Sequence, residues 1–329
     1  MKTNLPDRIF NIQSNSNFLN AAFEIFDYQA DNNPVYQCFI ASLRRKKATV
    51  KTLSDIPFLP VEFFRNHKVL AEDLPVELVF KSSGTTGTSV SNHFVHNVSL
   101  YEESFISTFR LFYGEPSDYL IAALLPSYAD RENSSLVYMM NNLIKRSMHP
   151  DSGFYINNIR TLILKLQKAK TNGQKGFLLG VSFALLDLAE EYSPDLSGTI
   201  VMETGGMKGI RKEITRQELH EVLTGKFNVP DIHSEYGMTE LLSQAYSKGK
   251  GIFYCPPWMK ILIRDPQDPL SIISEPGKTG GINIIDLANI YSSSFIATSD
   301  LGKLHDDGGF EVLGRLDNSD IRGCNLLFE

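Results

Sequence analysis

From residue 77 to residue 226, short apolar runs alternate with stretches patterned for helix, and this alternation restricts the fold more than anything else in the chain. Glu77–Phe80, Tyr119–Leu125, Gly176–Val181 and Thr199–Glu203 read as strands, with helices expected near 99–113, 134–147, 157–170, 182–192 and 213–226. Strands separated by helices need crossover connections, which place helices on the faces of a parallel sheet. After about residue 250 the spacing tightens to Lys260–Arg264, Gly281–Ile285, Phe295–Thr298 and Phe310–Leu313, with Gly, Pro and Asp turns between them. The expectation is an α/β body followed by a smaller β-rich section. Ahead of it, residues 8–48 read as helices: Phe18, Ala21, Ala22, Ile25 and Phe26 recur at helical spacing, Asn32-Asn33-Pro34 breaks the chain, and Val35 to Arg45 resumes. In the connector Asp55 to Pro60 two prolines disfavour helix.

At 329 residues the chain is long enough for one large or two modest domains, and its ordinary Gly, Pro and apolar content excludes fibrous and disordered classes. Its 32 Lys+Arg against 38 Asp+Glu leave a net charge of -6, and the longest basic run is Arg-Arg-Lys-Lys at 44–47. Counterion release needs a clustered basic surface, so nucleic acid is not an expected partner. Cys38, Cys255 and Cys324 are odd in number and far apart, which suggests neither a disulfide framework nor a zinc site, and a reducing compartment. No secretory signal follows Met1, and the longest apolar stretch, Phe177 to Ala189, is shorter than the about 20 residues a span needs. A cytoplasmic, soluble protein is expected.

Five segments could carry chemistry. Ser82-Ser83-Gly84-Thr85-Thr86-Gly87 follows the first strand, where glycine backbone and hydroxyl donors can wrap a phosphate; neither the Gly-Lys-Ser/Thr of a P-loop nor a GxGxxG follows. Glu203-Thr204-Gly205-Gly206 lies at the carboxyl end of a strand, where open α/β sheets bind ligands, and its glycines let a flat base approach the backbone. In Ser234-Glu235-Tyr236-Gly237-Met238-Thr239-Glu240, Tyr236 can stack on a base, Thr239 can bond a phosphate, and Glu240 can hold Mg²⁺ through a hard carboxylate oxygen. Thr298-Ser299-Asp300-Leu301-Gly302 and Gly314-Arg315-Leu316-Asp317 offer a carboxylate for a ribose diol and a guanidinium for phosphate or ribose. Each segment read alone is equally a turn, solvated at Asp300 and Arg315 and a helix start at Glu240. Of His93, His96, His149 and His233, none has zinc spacing, and only His233, beside the Tyr-Gly pair, is expected near a site. Gly180-Val181-Ser182-Phe183-Ala184 lacks the second glycine of a nucleophile elbow.

Taken in order, SSGTTG, ETGG, SEYGMTE, TSDLG and GRLD resemble the core motifs of the adenylate-forming superfamily, which includes acyl-CoA synthetases, firefly luciferase and non-ribosomal adenylation domains. Asp55 to Pro60, Leu125-Pro126-Ser127-Tyr128, Ser134 to Met139 and Ile321-Arg322-Gly323-Cys324 look like the acyl-protein synthetase branch, the long-chain-fatty-acid–luciferin-component ligases. The resemblance covers nearly the whole chain. It implies an α/β fold, the large N-terminal domain of an adenylate-forming enzyme, with the small C-terminal domain absent. It also implies ATP and Mg²⁺ as cofactors and an AMP-forming acid–thiol ligase: a carboxylic acid, fatty in that branch, becomes acyl-adenylate and then passes to a thiol.

Carried over residue by residue, Ser82, Ser83, Gly84, Thr85, Thr86 and Gly87 would hold the ATP phosphates and Gly205 and Gly206 would flank the adenine. Tyr236 would stack on the adenine beside Gly237, Thr239 would contact the α-phosphate, Glu240 would coordinate Mg²⁺ from an exposed position in the cleft, Asp300 would take the ribose hydroxyls, and Arg315 would contact ribose or phosphate. Ser127-Tyr128, Phe177 to Phe183 and Met202 are expected as walls of the acid pocket.

Two departures stand out. The superfamily loop usually ends in Lys, whereas Thr88-Ser89-Val90-Ser91 follows here, leaving Lys81 as a nearby cation. Asp317 aligns with the superfamily hinge, and only twelve residues, 318 to 329, follow it, so the expected organisation is a large domain over 1–314 and a hinge and tail over 315–329. In that tail Cys324 is the expected acyl acceptor, as a mobile thiolate nucleophile. Expected partners are the acid and an acyl reductase, acyl carrier or acyltransferase protein. Two other readings stay open: an acyl- or aryl-CoA ligase needing a separate small domain, and a non-catalytic nucleotide- or acyl-binding subunit.

Overall fold

The computed structural model describes residues 5–71, 73–82, 90–126, 133–206, 211–212 and 214–316. Along the chain come helices α1 (Leu5–Ile9), α2 (Asn15–Asn32) and α3 (Pro34–Ser42), strand β1 (Leu59–Pro60), helix α4 (Phe63–Asn66), and a hairpin of β2 (Leu78–Lys81) and β3 (Asn92–Val95). Then follow α5 (Val98–Tyr113), β4 (Tyr119–Leu124), α6 (Ser135–Ser147), β5 (Gly153–Phe154), α7 (Ile159–Thr171), β6 (Lys175–Val181), α8 (Ser182–Glu191), β7 (Thr199–Thr204), α9 (Arg216–Phe227) and β8 (His233–Tyr236). Beyond them lie β9 (Ala245–Ser247), β10 (Ile252–Phe253), β11 (Met259–Arg264), β12 (Ile272–Ile273), β13 (Thr279–Asp286), β14 (Phe295–Leu304) and β15 (Phe310–Arg315).

Strands β4, β6 and β7, expected from the alternating pattern, join β5, β8 and β9 in a six-stranded sheet in the order β5-β4-β6-β7-β8-β9, parallel except for β9. The strand expected at 77–80 is not part of it, because β2 pairs antiparallel with β3 alone. Every residue of β4 is buried, as are all of β6 except Lys175, because helices cover both faces of a parallel sheet. The later strands build a second sheet, β10-β15-β14-β13-β11-β12, to whose strand β14 the early β1 adds in parallel. The connector read as merely non-helical thus supplies a strand, with the Val61 amide donating to the Ala297 carbonyl at 2.9 Å.

Helix starts follow the sequence. Asn97 caps α5 by accepting from the Ser99 amide, Ser134 caps α6 by accepting from the Val137 amide, and Thr215 with Glu218 closes a capping box on α9. Asn33 ends α2 and caps α3, accepting from the Val35 and Tyr36 amides while its own amide donates to the Ser292 carbonyl. Buried Gln29 of α2 donates to the Asn289 and Ile290 carbonyls and accepts from the Ser294 amide. These contacts fix the β13–β14 connection, which in turn braces the site. Among the described residues no helix is long and apolar enough to cross a membrane.

Candidate active site

The parallel strands β6, β7 and β8 end together, and their carboxyl ends open into a cleft whose other wall is β14 and β15 of the second sheet. Ser82, Gly205, Gly206, Tyr236, Gly237, Thr239, Glu240, Asp300 and Arg315 all line it. Ser83, Gly84, Thr85, Thr86, Gly87, Ser127, Tyr128, Asp317 and Cys324 lie outside the described residues. The base of the first segment is pinned: the Ser82 amide donates to the Ser91 carbonyl, the Ser91 amide donates to Ser82 Oγ, and the Lys81 amide donates to the Asn133 carbonyl. Gly205 turns the chain out of β7 at φ +71, a conformation costly for any side chain, and its carbonyl accepts from Ser182 Oγ at 2.9 Å.

Asp300 is not in a solvated turn. Strand β14 runs on to Leu304, and Asp300 lies directly opposite Arg315 of β15, so the fourth and fifth segments are cross-strand neighbours. Asp300 Oδ2 accepts from the Tyr236 hydroxyl at 2.8 Å, and its Oδ1 is 4.0 Å from Arg315 Nε. Burial pushes the Asp300 carboxyl up, a push the Tyr236 hydroxyl and the Arg315, Arg264 and Arg216 charges only partly offset. The Tyr236 ring packs edge-on against Phe253 and Phe310. Arg315 itself is 77% exposed at the cleft mouth, free to follow an anion.

Thr239 and Glu240 sit on the turn between β8 and β9, and buried polar groups hold it. The His93 ring of β3 donates from Nδ1 to the Thr239 carbonyl at 2.8 Å, with Nε2 3.1 Å from Asn289 Oδ1. Asn289 Nδ2 donates to the Glu240 carbonyl at 2.9 Å. Asp286 accepts from the Leu242 and Ser243 amides, the Ser243 hydroxyl and the Ala288 amide. Burial holds His93 down at about 4, against the pull of the Thr239 carbonyl and Asn289. His93, rather than His233, is therefore the histidine that supports the site; His233 faces the Tyr113 hydroxyl away from the cleft. Glu240 is only 5% exposed, not the open carboxylate expected of it, and burial raises its pKa against the opposing pull of Ser91, Arg65 and Arg315.

Two further carboxylates, Glu203 and Glu235, belong to the site. Glu203 of β7 accepts from Ser182 Oγ at 3.0 Å and pairs with Arg216 Nε at 3.2 Å and His220 Nε2 at 3.6 Å. Burial pushes it up, but the His220 contact and the Arg216 charge win, leaving it below the usual range. Arg216 also donates to the Val312 carbonyl and lies over the Phe253 ring, clamping α9 to the second sheet. Glu235 of β8 accepts from the Thr204 hydroxyl and is pushed up to about 7 by burial, a rise the Thr204 bond opposes and neighbouring Glu203 reinforces. The signal for both was in the sequence: a Glu at the last turns of two strands that meet in parallel, polar where such strands are ordinarily apolar.

Similar structures share this arrangement of sheets. The 2-hydroxyisobutyryl-CoA ligase HCL, in an open conformation with 2-HIB-AMP and CoA, matches with a TM-score of 0.69 at 12% identity, over 92% of this chain and 75% of its own. ATP-bound MatB from Rhodopseudomonas palustris matches at 0.54 and 17% identity, over 73% of this chain and 48% of its own. The long-chain-fatty-acid-CoA ligase FadD1 from Archaeoglobus fulgidus matches at 0.52 and 18% identity, over 73% and 52%. The chain thus spans about half the length of MatB and FadD1. No protein-family model and no curated protein sequence matches it. At such identities the likeness is one of fold, and the fold is that of the large N-terminal domain of adenylate-forming ligases.

Proposed function

We propose that this chain activates a carboxylic acid with ATP and passes the acyl group to a thiol, as the acyl-protein synthetase branch does. The observation that carries this reading is convergence: nine residues singled out for nucleotide chemistry, from Ser82 to Arg315, line a single cleft at the carboxyl ends of a parallel sheet. An acid carboxylate attacks the α-phosphorus of ATP, an O–P bond forms, the bond to the bridging oxygen breaks, and pyrophosphate leaves. A thiolate then attacks the acyl carbon and AMP leaves with the bonding electrons.

In this reading Tyr236, Gly205 and Gly206 border the adenine, Asp300 takes the ribose hydroxyls with the oxygen turned toward Arg315, and Thr239 meets the α-phosphate. Mg²⁺ takes one or two protein carboxylates and completes its shell with phosphate oxygens and water. Glu240, next to Thr239 in the lining of the cleft, fits that demand. Bound there, the ion would neutralise charge building on the phosphates. The chain's own part is positional: His93, Asn289 and Asp286 fix the turn that carries Thr239 and Glu240, which saves reorganisation when the phosphate arrives.

For the acceptor, burial and Asp286 push the Cys255 thiol far above neutrality, so it is a poor nucleophile. We assign the role to Cys324, with a partner acyl reductase, carrier or acyltransferase receiving the group afterwards. Acid-dependent ATP–pyrophosphate exchange with Mg²⁺ tests the first step across short, long and aromatic acids; silence with every acid would remove the adenylating role. Acylation surviving in Cys324→Ser would move the acceptor elsewhere, and coenzyme A consumed in the same assay would make the protein a coenzyme A ligase.

A further inference from the structure

Tyr236 and Glu235 leave opposite faces of β8. Tyr236 turns to Asp300 and the second sheet, the side assigned above to ribose and adenine. Glu235 turns toward α5, close enough for its charge to act on the Tyr101 and Tyr246 hydroxyls. Tyr101, Leu136, Met139 and Met238 line the same cleft, together with the hydroxyls of Ser91, Ser134, Ser135 and Thr204. Among these neutral side chains Glu235 is an anomaly. It is 8% exposed, and unlike Glu203 it has no Lys, Arg or His paired with it among the described residues. A carboxylate buried without a cation is destabilising, so a purely aliphatic pocket would be better lined by an apolar residue.

The surroundings make room for it. Glu235 Oε2 takes the Thr204 hydroxyl, while Oε1 lies over Gly237, where a Cβ would come within 2.4 Å of that oxygen. Gln244 crosses beside the same spot, its Cγ 3.3 Å from where that Cβ would be. Gln244 also lines the cleft, is 4% exposed, and its Oε1 has no hydrogen-bond partner among the described residues. One cleft, then, holds a buried carboxyl with no cation paired to it and a buried amide oxygen with no donor, both among the described residues.

We propose that Glu235 and Gln244 select the acid: the substrate carries a hydrogen-bond donor, an amino or hydroxyl group, on the part of its chain away from the reacting carboxylate, and that donor seats against Glu235 with Gln244 beside it. This rests on the acid-activating reading above. An ammonium group would supply both donor and counter-charge, and a hydroxyl the donor alone. A site built to bond a polar group penalises a ligand that lacks it, because its own buried groups are then left unpaired.

The test is ATP–pyrophosphate exchange on the full chain with a matched series of straight-chain acids ending in methyl, hydroxyl or amino groups, run on wild type, Glu235→Gln and Glu235→Leu. The expected result is a preference of about tenfold or more in kcat/KM for a donor-bearing acid, collapsing to within about threefold in Glu235→Leu as methyl-ended acids gain. Whether the amino or the hydroxyl series leads identifies the donor. Equal or better use of methyl-ended acids by wild type, or a preference untouched in Glu235→Leu, overturns the proposal while leaving adenylation intact. Should no acid support exchange, the adenylating reading fails, and melting shifts with the same acids decide the role of Glu235: a shift with donor-bearing acids that Glu235→Leu abolishes upholds it, and no such shift overturns it.

Discussion

The middle of the parallel sheet and the second half of the turn between β8 and β9, Glu240 to Gln244, are both out of water, yet different forces hold them. Strands β4, β6 and β7 meet through Leu, Ile, Val, Phe and Met side chains, whose burial is non-directional and tolerates drift. The turn at residues 237–244 has no regular structure and is tied by Asp286, Asn289 and His93, groups that work only at set distances and angles. The sheet gives the site a floor; the polar ties give it a geometry. Substitutions in the two regions should therefore fail differently.

Asp286→Ala should do the most damage. It strips partners from the Leu242, Ser243 and Ala288 amides and the Ser243 hydroxyl in a fully buried place, a loss on the order of 4 kcal/mol. Because it also frees the turn, the protein that still folds should lose acid-dependent exchange, which denaturant titration and the exchange assay together would show. Leu178→Ala, in the middle of β6, should cost about 3 kcal/mol by leaving a cavity, with exchange per folded molecule unchanged. If both variants lose activity in proportion to stability alone, the division between floor and geometry is wrong.

That division also explains what the sequence made legible. Strands expected at 119–125, 176–181 and 199–203 run 119–124, 175–181 and 199–204, and helices expected at 99–113 and 134–147 run 98–113 and 135–147. Continuous apolar runs and helical spacing are local signals, and burial in a parallel sheet writes them plainly. Strand β8, His-Ser-Glu-Tyr, shows in the sequence only as part of a Tyr-Gly turn, because a polar strand held by Thr204, Asp300 and Tyr113 carries no apolar pattern. The strand signal of β14 stops at Thr298, since Ser299, Asp300 and Gly302 resemble a turn until β15 pairs with Asp300 and Gly302. His93 and Asn289 reach Thr239 and Glu240 from 146 and 49 residues away, and Asp286 reaches Leu242 from 44, distances over which one sequence carries no pairing signal. The types of residue near the nucleotide motifs were readable; the braces behind them were not.

Acid titration separates two of the buried groups by sign. His93 has its pKa lowered from 6.5 to about 4, so the unfolded chain binds the proton more readily, and its stabilising contribution is lost as the pH falls from 6.5 toward 4, on the order of 3 kcal/mol in all. Glu235 runs the other way: raised from 4.5 to about 7, it favours the fold at low pH, and that contribution is lost as the pH rises through this window. Melting curves from pH 4 to 7 should show His93→Gln with a shallower acid-side fall than wild type and Glu235→Gln with a shallower fall toward neutrality. Parallel curves for all three proteins would mean that neither group is buried as described.

Glu240→Gln gives the sharpest separation of geometry from floor, though its effect in free energy is the smallest. Burial raises the Glu240 pKa, so the ionised carboxylate is held at a cost to folding, and an isosteric amide relieves that cost. The variant should melt at or slightly above the wild-type temperature. Its exchange rate should fall about 10- to 100-fold, because an amide oxygen is a weaker ligand for a hard cation than a carboxylate. Raising Mg²⁺ should recover part of that loss if Glu240 holds the ion, since a weakened site fills again by mass action. A loss that Mg²⁺ cannot recover would give Glu240 a structural task in the turn, alongside Asn289 and Asp286, in place of the metal.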